Sequence, residues 1–157
     1  MDVRRRKLVQ TGGGMTLFGL LAAIGWLKPG EVRAQSWNRA AFDTHNMSDA
    51  MNALGGGEPV ASKDISFQQT PEIAENGAVV PIGVSSNIPK TDSIAIVIEK
   101  NPNPLAAVFE IPAGTEPTIS TRVKMAQTSN IYAVVRADGK YYVAAKEVKV
   151  TLGGCGG

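Results

Sequence analysis

Beyond residue 60 the chain is patterned for strands. Ile94-Ala95-Ile96-Val97-Ile98 and Tyr142-Val143-Ala144-Ala145-Lys146-Glu147-Val148-Lys149-Val150 change character with a period of two. That is the spacing at which successive side chains of a β-strand face opposite ways. Similar short segments at 65–69, 78–84, 93–100, 107–111, 118–125, 130–136 and 141–151 predict seven strands. The breaks between them hold turn residues: Glu75-Asn76-Gly77, Ile88-Pro89-Lys90-Thr91-Asp92, Asn101-Pro102-Asn103-Pro104, Pro112-Ala113-Gly114 and Ala137-Asp138-Gly139-Lys140. Asp138-Gly139 between two such segments predicts a tight hairpin. Seven short strands with no helix among them point to an all-β fold, an immunoglobulin-like antiparallel β-sandwich. Two marks of that class are missing. The chain has a single cysteine, and Trp26 and Trp37 both precede the strands.

Ahead of the strands the period lengthens. Met47, Met51 and Leu54 recur at spacings of four and three, with Phe42 one step further back, so residues 36–54 predict one short amphipathic helix packed on the domain. Asn46 or Ser48 can cap its start, and Gly55-Gly56-Gly57 ends it. His45 and Asp49 are four apart. With no nucleophile nearby in sequence, His45 reads as a surface or capping residue, not a base.

The first residues follow another logic. Arg4-Arg5-Arg6-Lys7 precedes an apolar run at 15–27, too short for the roughly 20 residues of a spanning helix but suited to a signal-peptide core. Val32-Arg33-Ala34 offers small residues for cleavage after Ala34. Arg5-Arg6 and the weak, glycine-interrupted core resemble a twin-arginine signal, with Leu8 where Phe is common and Gln10 where Lys is common. The alternative is an uncleaved anchor. The expected organisation is a signal peptide at 1–34, a helical segment at 35–57, the sandwich at 58–152 and a tail at 153–157. This division changes the charge argument. Six of the 16 basic residues and two of the 14 acidic ones fall within 1–34, so the remainder carries −2 where the whole chain carries +2. No basic patch remains to argue for nucleic acid.

Cys155 stands within Gly153-Gly154-Cys155-Gly156-Gly157. Glycine populates backbone angles closed to other residues, so Gly153, Gly154, Gly156 and Gly157 predict a flexible arm. An unpaired cysteine in an exported protein suggests a reactive thiol or an intermolecular bond. A structural cysteine is normally buried, which glycines cannot arrange. A metal site needs several ligands, and the one histidine, His45, lies far away in sequence. Neither a metal, a cofactor nor a catalytic residue is expected. A small mobile thiol suits a carrier. Two other classes stay open: an exported β-sandwich structural or interaction module with an incidental cysteine, and a disulfide-exchange enzyme. The second lacks both Cys-x-x-Cys and a βαβ pattern.

The terminal Gly-Gly-Cys-Gly-Gly, the twin-arginine-like leader, and the helix end at 51–55 before an all-β body together resemble the SoxY family. Its members are sulfur-carrier subunits of the SoxYZ complex in periplasmic thiosulfate oxidation. The resemblance implies a heterodimer with SoxZ and covalent sulfur intermediates on Cys155. It also implies transient visits from the haem complex SoxXA, which joins thiosulfate to the thiol, and from the manganese hydrolase SoxB, which releases sulfate. In some organisms a molybdenum–haem sulfane dehydrogenase, SoxCD, completes the oxidation. A permanent partner would need an apolar face, for which the segments at 78–84, 93–98 and 107–111 are the candidates; the alternative for each is that its apolar residues are simply sandwich core.

Overall fold

The computed structural model describes residues 38–154. Two short helices, α1 (Arg39–Phe42) and α2 (Met47–Ala53), precede nine strands. These are β1 (Val60–Ala61), β2 (Ile65–Gln68), β3 (Ile73–Asn76), β4 (Val80–Ser86), β5 (Thr91–Ile98), β6 (Leu105–Glu110), β7 (Thr118–Val123), β8 (Ser129–Ala137) and β9 (Lys140–Leu152). One sheet runs β9-β8-β5-β6, with β1 and β3 both on the free side of β9; the other runs β2-β4-β7. The all-β sandwich read from the alternation is present, and its seven expected strands pair antiparallel.

Between the sheets lies one core. Ile65 of β2, Val80, Ile82 and Val84 of β4, and Ile119 and Val123 of β7 meet Ile94, Ile96 and Ile98 of β5 and Ile131, Ala133 and Val135 of β8. The alternate residues of the same strands form a second core. Ala95 and Val97 of β5 and Val134 of β8 pack against Ala41, Ala50 and Met51 of the helices. Central strand β5 is therefore buried on both faces, with every residue from Ile94 to Ile98 at most 3% exposed. At about 25 cal/mol per Å2 of apolar surface, each such isoleucine stabilises the fold by roughly 1.5–3 kcal/mol.

This double burial corrects one expectation. The apolar positions of β4 and β5, proposed from sequence as a partner's docking face, are consumed by the chain's own two cores. Of the three candidate segments, 107–111 keeps Val108 and Phe109 partly exposed and 78–84 keeps Val79 exposed.

The single helix expected at 36–54 is also corrected, to two. Asn46 adopts extended backbone (φ −146°, ψ 162°) and its side chain accepts from the Asp49 N–H at 2.8 Å, which starts a new helix and breaks the old one. Phe42, Met47 and Leu54 pack against the outer face of the sheet, as the stripe predicted. Tyr141 Oη donates to the Leu54 carbonyl at 2.7 Å, which ties the helix end to β9. His45 is exposed, with Nδ1 3.1 Å from the Pro102 carbonyl oxygen.

The remaining difference concerns β9. This 13-residue strand spans roughly 40 Å at about 3.3 Å per residue. On one side its residues from Lys140 to Val148 pair with β8. On the other, two strands absent from the sequence reading lie parallel to it: β1 opposite Tyr142 and Val143, and β3 opposite Lys149, Val150 and Leu152. Neither has the length or alternation to announce itself. Between them Lys146, on the core-facing side of β9 with Ala144 and Val148, donates through Nζ to the Thr70 carbonyl. An inward-pointing lysine on an open stretch of strand discourages pairing with a foreign chain.

Candidate functional site

The thiol-bearing tail grows out of the C-terminal end of β9. Cys155, Gly156 and Gly157 lie outside the described residues; Gly153 and Gly154 lie within them. Three segments distant in sequence meet at the tail's base. The Gly77 N–H donates to the Leu152 carbonyl at 2.7 Å, the Met125 N–H donates to the Gly77 carbonyl at 2.7 Å, and the Gly154 N–H donates to the Met125 carbonyl at 2.9 Å. Leu152, three residues before Cys155, and Gly154, directly before it, are thus linked through the backbone to the loops at Gly77 and Met125.

Glycine is required at this junction by contact. A Cβ on Gly77 would sit against the Met125 carbonyl oxygen and 2.8 Å from the Gly154 nitrogen. One on Gly154 would run into the Gly77 peptide, and one on Gly153 into the Ala126 carbonyl oxygen. All of these obstacles are main chain and cannot turn aside. The glycines before the cysteine accordingly let three backbones approach closely.

Side chains hold the three segments in place. The Asn76 Oδ1 accepts from the Ala78 N–H at 2.8 Å and shapes the turn at Gly77. Asn101 bridges the loop around Met125: its Nδ2 donates to the Lys124 carbonyl at 2.8 Å and its Oδ1 accepts from the Ala126 N–H at 2.9 Å. The Met125 side chain is wholly buried in the main core. Thr151 Oγ1 donates to the Glu75 carbonyl at 2.9 Å, fastening β3 to β9. Leu152 stays exposed, as do Val79 and Ile73.

Sequence reasoning singled out Gly153, Gly154, Cys155, Gly156 and Gly157, and missed Gly77, Asn101 and Met125. Gly77 looked like an ordinary turn glycine, and Asn101 a member of a proline-rich break. Nothing local could have joined them, because their partners lie dozens of residues away.

The opposite end of β9 carries different chemistry. A cavity of about 710 Å3 opens there, lined in part by Ile88, Lys90, Ile111, Pro112 and Asp138. Beside it Arg136 bonds Asp92 through Nε at 2.6 Å and Glu110 through its NH2 group at 3.1 Å. The hydrogen bond to Asp92 is the main cause that raises the guanidinium's pKa above its ordinary value, against the desolvation that lowers it; the charges of Asp92 and Glu110 and a hydrogen bond with Tyr141 add to the rise. Among the described residues no three acidic, histidine or cysteine side chains gather as a metal site, and no helix is long and apolar enough to cross a membrane.

Fold and site together define a class: an all-β sandwich whose longest described strand leads into a cysteine-bearing tail. Comparison with known proteins gives the family. The family model of the sulfur oxidation protein SoxY matches residues 50–155, well over half of the chain and ending on the cysteine. The structure of the sulfur carrier protein SoxY from Chlorobium limicola f. thiosulfatophilum is 42% identical, over 68% of this chain and 97% of that one, with a TM-score of 0.61. A superoxide reductase (neelaredoxin) from Ignicoccus hospitalis is 19% identical over 66% of this chain and 91% of that one, with a TM-score of 0.48. No curated protein matches. The chain belongs to the SoxY family, and a sulfur-carrier role follows at that level.

Proposed function

We propose that this chain is an exported carrier that holds thiosulfate-derived sulfur covalently on Cys155 and presents it to other enzymes, with no catalysis of its own. The observation that carries this reading is the family match ending at Cys155, the chain's only thiol. The chemistry follows from the thiol. An enzyme such as SoxXA removes two electrons as the Cys155 sulfur bonds the outer sulfur of thiosulfate, releasing the thiol proton and leaving –S–S–SO3⁻. Water, activated by a hydrolase such as SoxB, then releases sulfate and two protons and leaves the persulfide anion, –S–S⁻. A sulfane dehydrogenase such as SoxCD would oxidise that persulfide further. Free cysteine ionises near pH 8.5, so about a few per cent is thiolate near neutrality. Glycine neighbours add no charged side chain to it, so activation falls to the visiting enzyme's site. SoxZ is the proposed permanent partner, and the periplasm the proposed compartment.

Intact-mass analysis of protein from thiosulfate-grown cells tests the carrier role. Reductant-sensitive adducts of sulfur and of sulfonated sulfur should map to the C-terminal peptide. Cys155→Ser should lose every adduct and thiosulfate-dependent activity while folding normally; adducts surviving in that variant would refute the reading. Replacing Arg5 and Arg6 by lysine should leave precursor in the cytoplasm, and normal export of that variant would defeat the twin-arginine route.

A further inference from the structure

We propose that Gly77, with the Met125 peptide and its Asn101 buttress, is a positioning device for Cys155: a backbone clasp that fixes the point and direction from which the thiol-bearing tail leaves the sandwich. The inference rests on the carrier reading and deepens it. The five-residue glycine-rich tail would otherwise be free from its first residue. Instead the Gly77 N–H and carbonyl and the Met125 N–H and carbonyl form an unbroken relay from Leu152 to Gly154. Gly77 donates back to the strand, accepts from Met125, and Met125 accepts from the residue next to the cysteine.

Two further observations show that the relay is built. Its members close on one another so tightly that neither Gly77 nor Gly154 has room for a single methyl group. Asn101 spends both ends of its amide on the loop that carries Met125, at 2.8 and 2.9 Å, and so fixes the orientation of the Met125 carbonyl. A carrier whose thiol must enter several different enzymes gains from a fixed origin. Holding the attachment point still reduces the positions the sulfur must search, which lowers the ordering cost of each encounter.

The experiment uses the full chain and its native thiol. A nitroxide attached to Cys155 reports tail motion, and hydrogen exchange reports the Gly154 amide directly. In Gly77→Ala and Asn101→Ala, Gly154 exchange should rise at least about tenfold, because a hydrogen bond worth roughly 1.4 kcal/mol would be lost, and the nitroxide spectrum should narrow. Asn101→Asp, which keeps the acceptor for the Ala126 N–H, should fall between Asn101→Ala and wild type. The reactivity of Cys155 towards a small alkylating reagent should stay within about twofold. Enzymatic loading with thiosulfate should show a severalfold higher half-saturating carrier concentration at an unchanged maximal rate, a split that loss of folded protein would not produce. If Gly77→Ala fails to fold, the partly exposed Asn101 decides through its two variants. Folded variants with wild-type Gly154 exchange and nitroxide motion would overturn the clasp. Wild-type protein that never accepts an adduct would defeat the carrier reading instead, and the exchange and nitroxide data would still decide the clasp.

Discussion

The two ends of β9 are held by opposite means. At its start, Asp138 (φ 51°) and Gly139 (φ 73°) turn the chain within two residues, and Ala137 pairs with Lys140 directly across the turn. Both positive angles fit the hairpin turn that twists with its strands. At its finish, no neighbour in sequence holds the strand. Leu152 and Gly154 are fixed by Gly77 and Met125, residues that reach them only once both sheets have formed. The first end folds locally; the second is a product of the tertiary fold. A turn needs the right pair of residues, whereas a clasp needs three segments to arrive together, so it should be the more readily lost.

The largest effect should come from the core beneath the clasp. Met125→Ala removes a wholly buried side chain and should cost about 2–5 kcal/mol in denaturant titration. It should loosen the tail end before the hairpin end, and faster exchange at Gly154 than at Lys140 would show that order. Equal loosening of both ends would contradict the contrast drawn here.

A smaller effect should follow at the other end. Gly139→Val forces a β-branched residue to φ 73° and should cost about 1–2 kcal/mol. Because the clasp does not depend on the turn, Gly154 exchange should then change only in step with global stability. A specific rise at Gly154 would mean that the two ends communicate along the strand. The smallest change expected is Arg136→Met, which removes the pairs with Asp92 and Glu110. With about a third of the arginine exposed, the loss should be under about 1 kcal/mol and shrink further in 1 M salt. A loss that salt leaves untouched would point to packing rather than charge.

This contrast also separates what could be read in the sequence from what could not. Ile94-Ala95-Ile96-Val97-Ile98 announced a strand because period two is a local property, and Asp138-Gly139 announced a hairpin for the same reason. The alternation did not reveal that both faces of β5 are covered, since small and branched apolar residues suit either a half-buried or a fully buried strand. Capping by Asn46 was visible, but its effect of dividing the helix was not. β1 and β3 were missed because two- and four-residue strands take their stability wholly from the partner they join. At the site, the thiol and its glycines were plain in the sequence. The roles of Gly77 and Asn101 were not, since a turn glycine and a loop asparagine look alike wherever they land.

That the clasp consists of main-chain amides has a chemical consequence. A sulfur–sulfur bond is cleaved by thiolates, and amide groups do not attack it. The base of the tail presents peptide groups from Gly77, Met125 and Gly154, and the one other sulfur there, in Met125, is a thioether sealed in the core. With no second cysteine in the chain, a molecule loaded as proposed would have no thiol of its own to discharge the cargo. The lifetime of an adduct should therefore scale inversely with the thiol concentration supplied from outside, and a decay component that persists at zero added thiol and high dilution would contradict this. Cargo would then be released by an encounter and not by waiting.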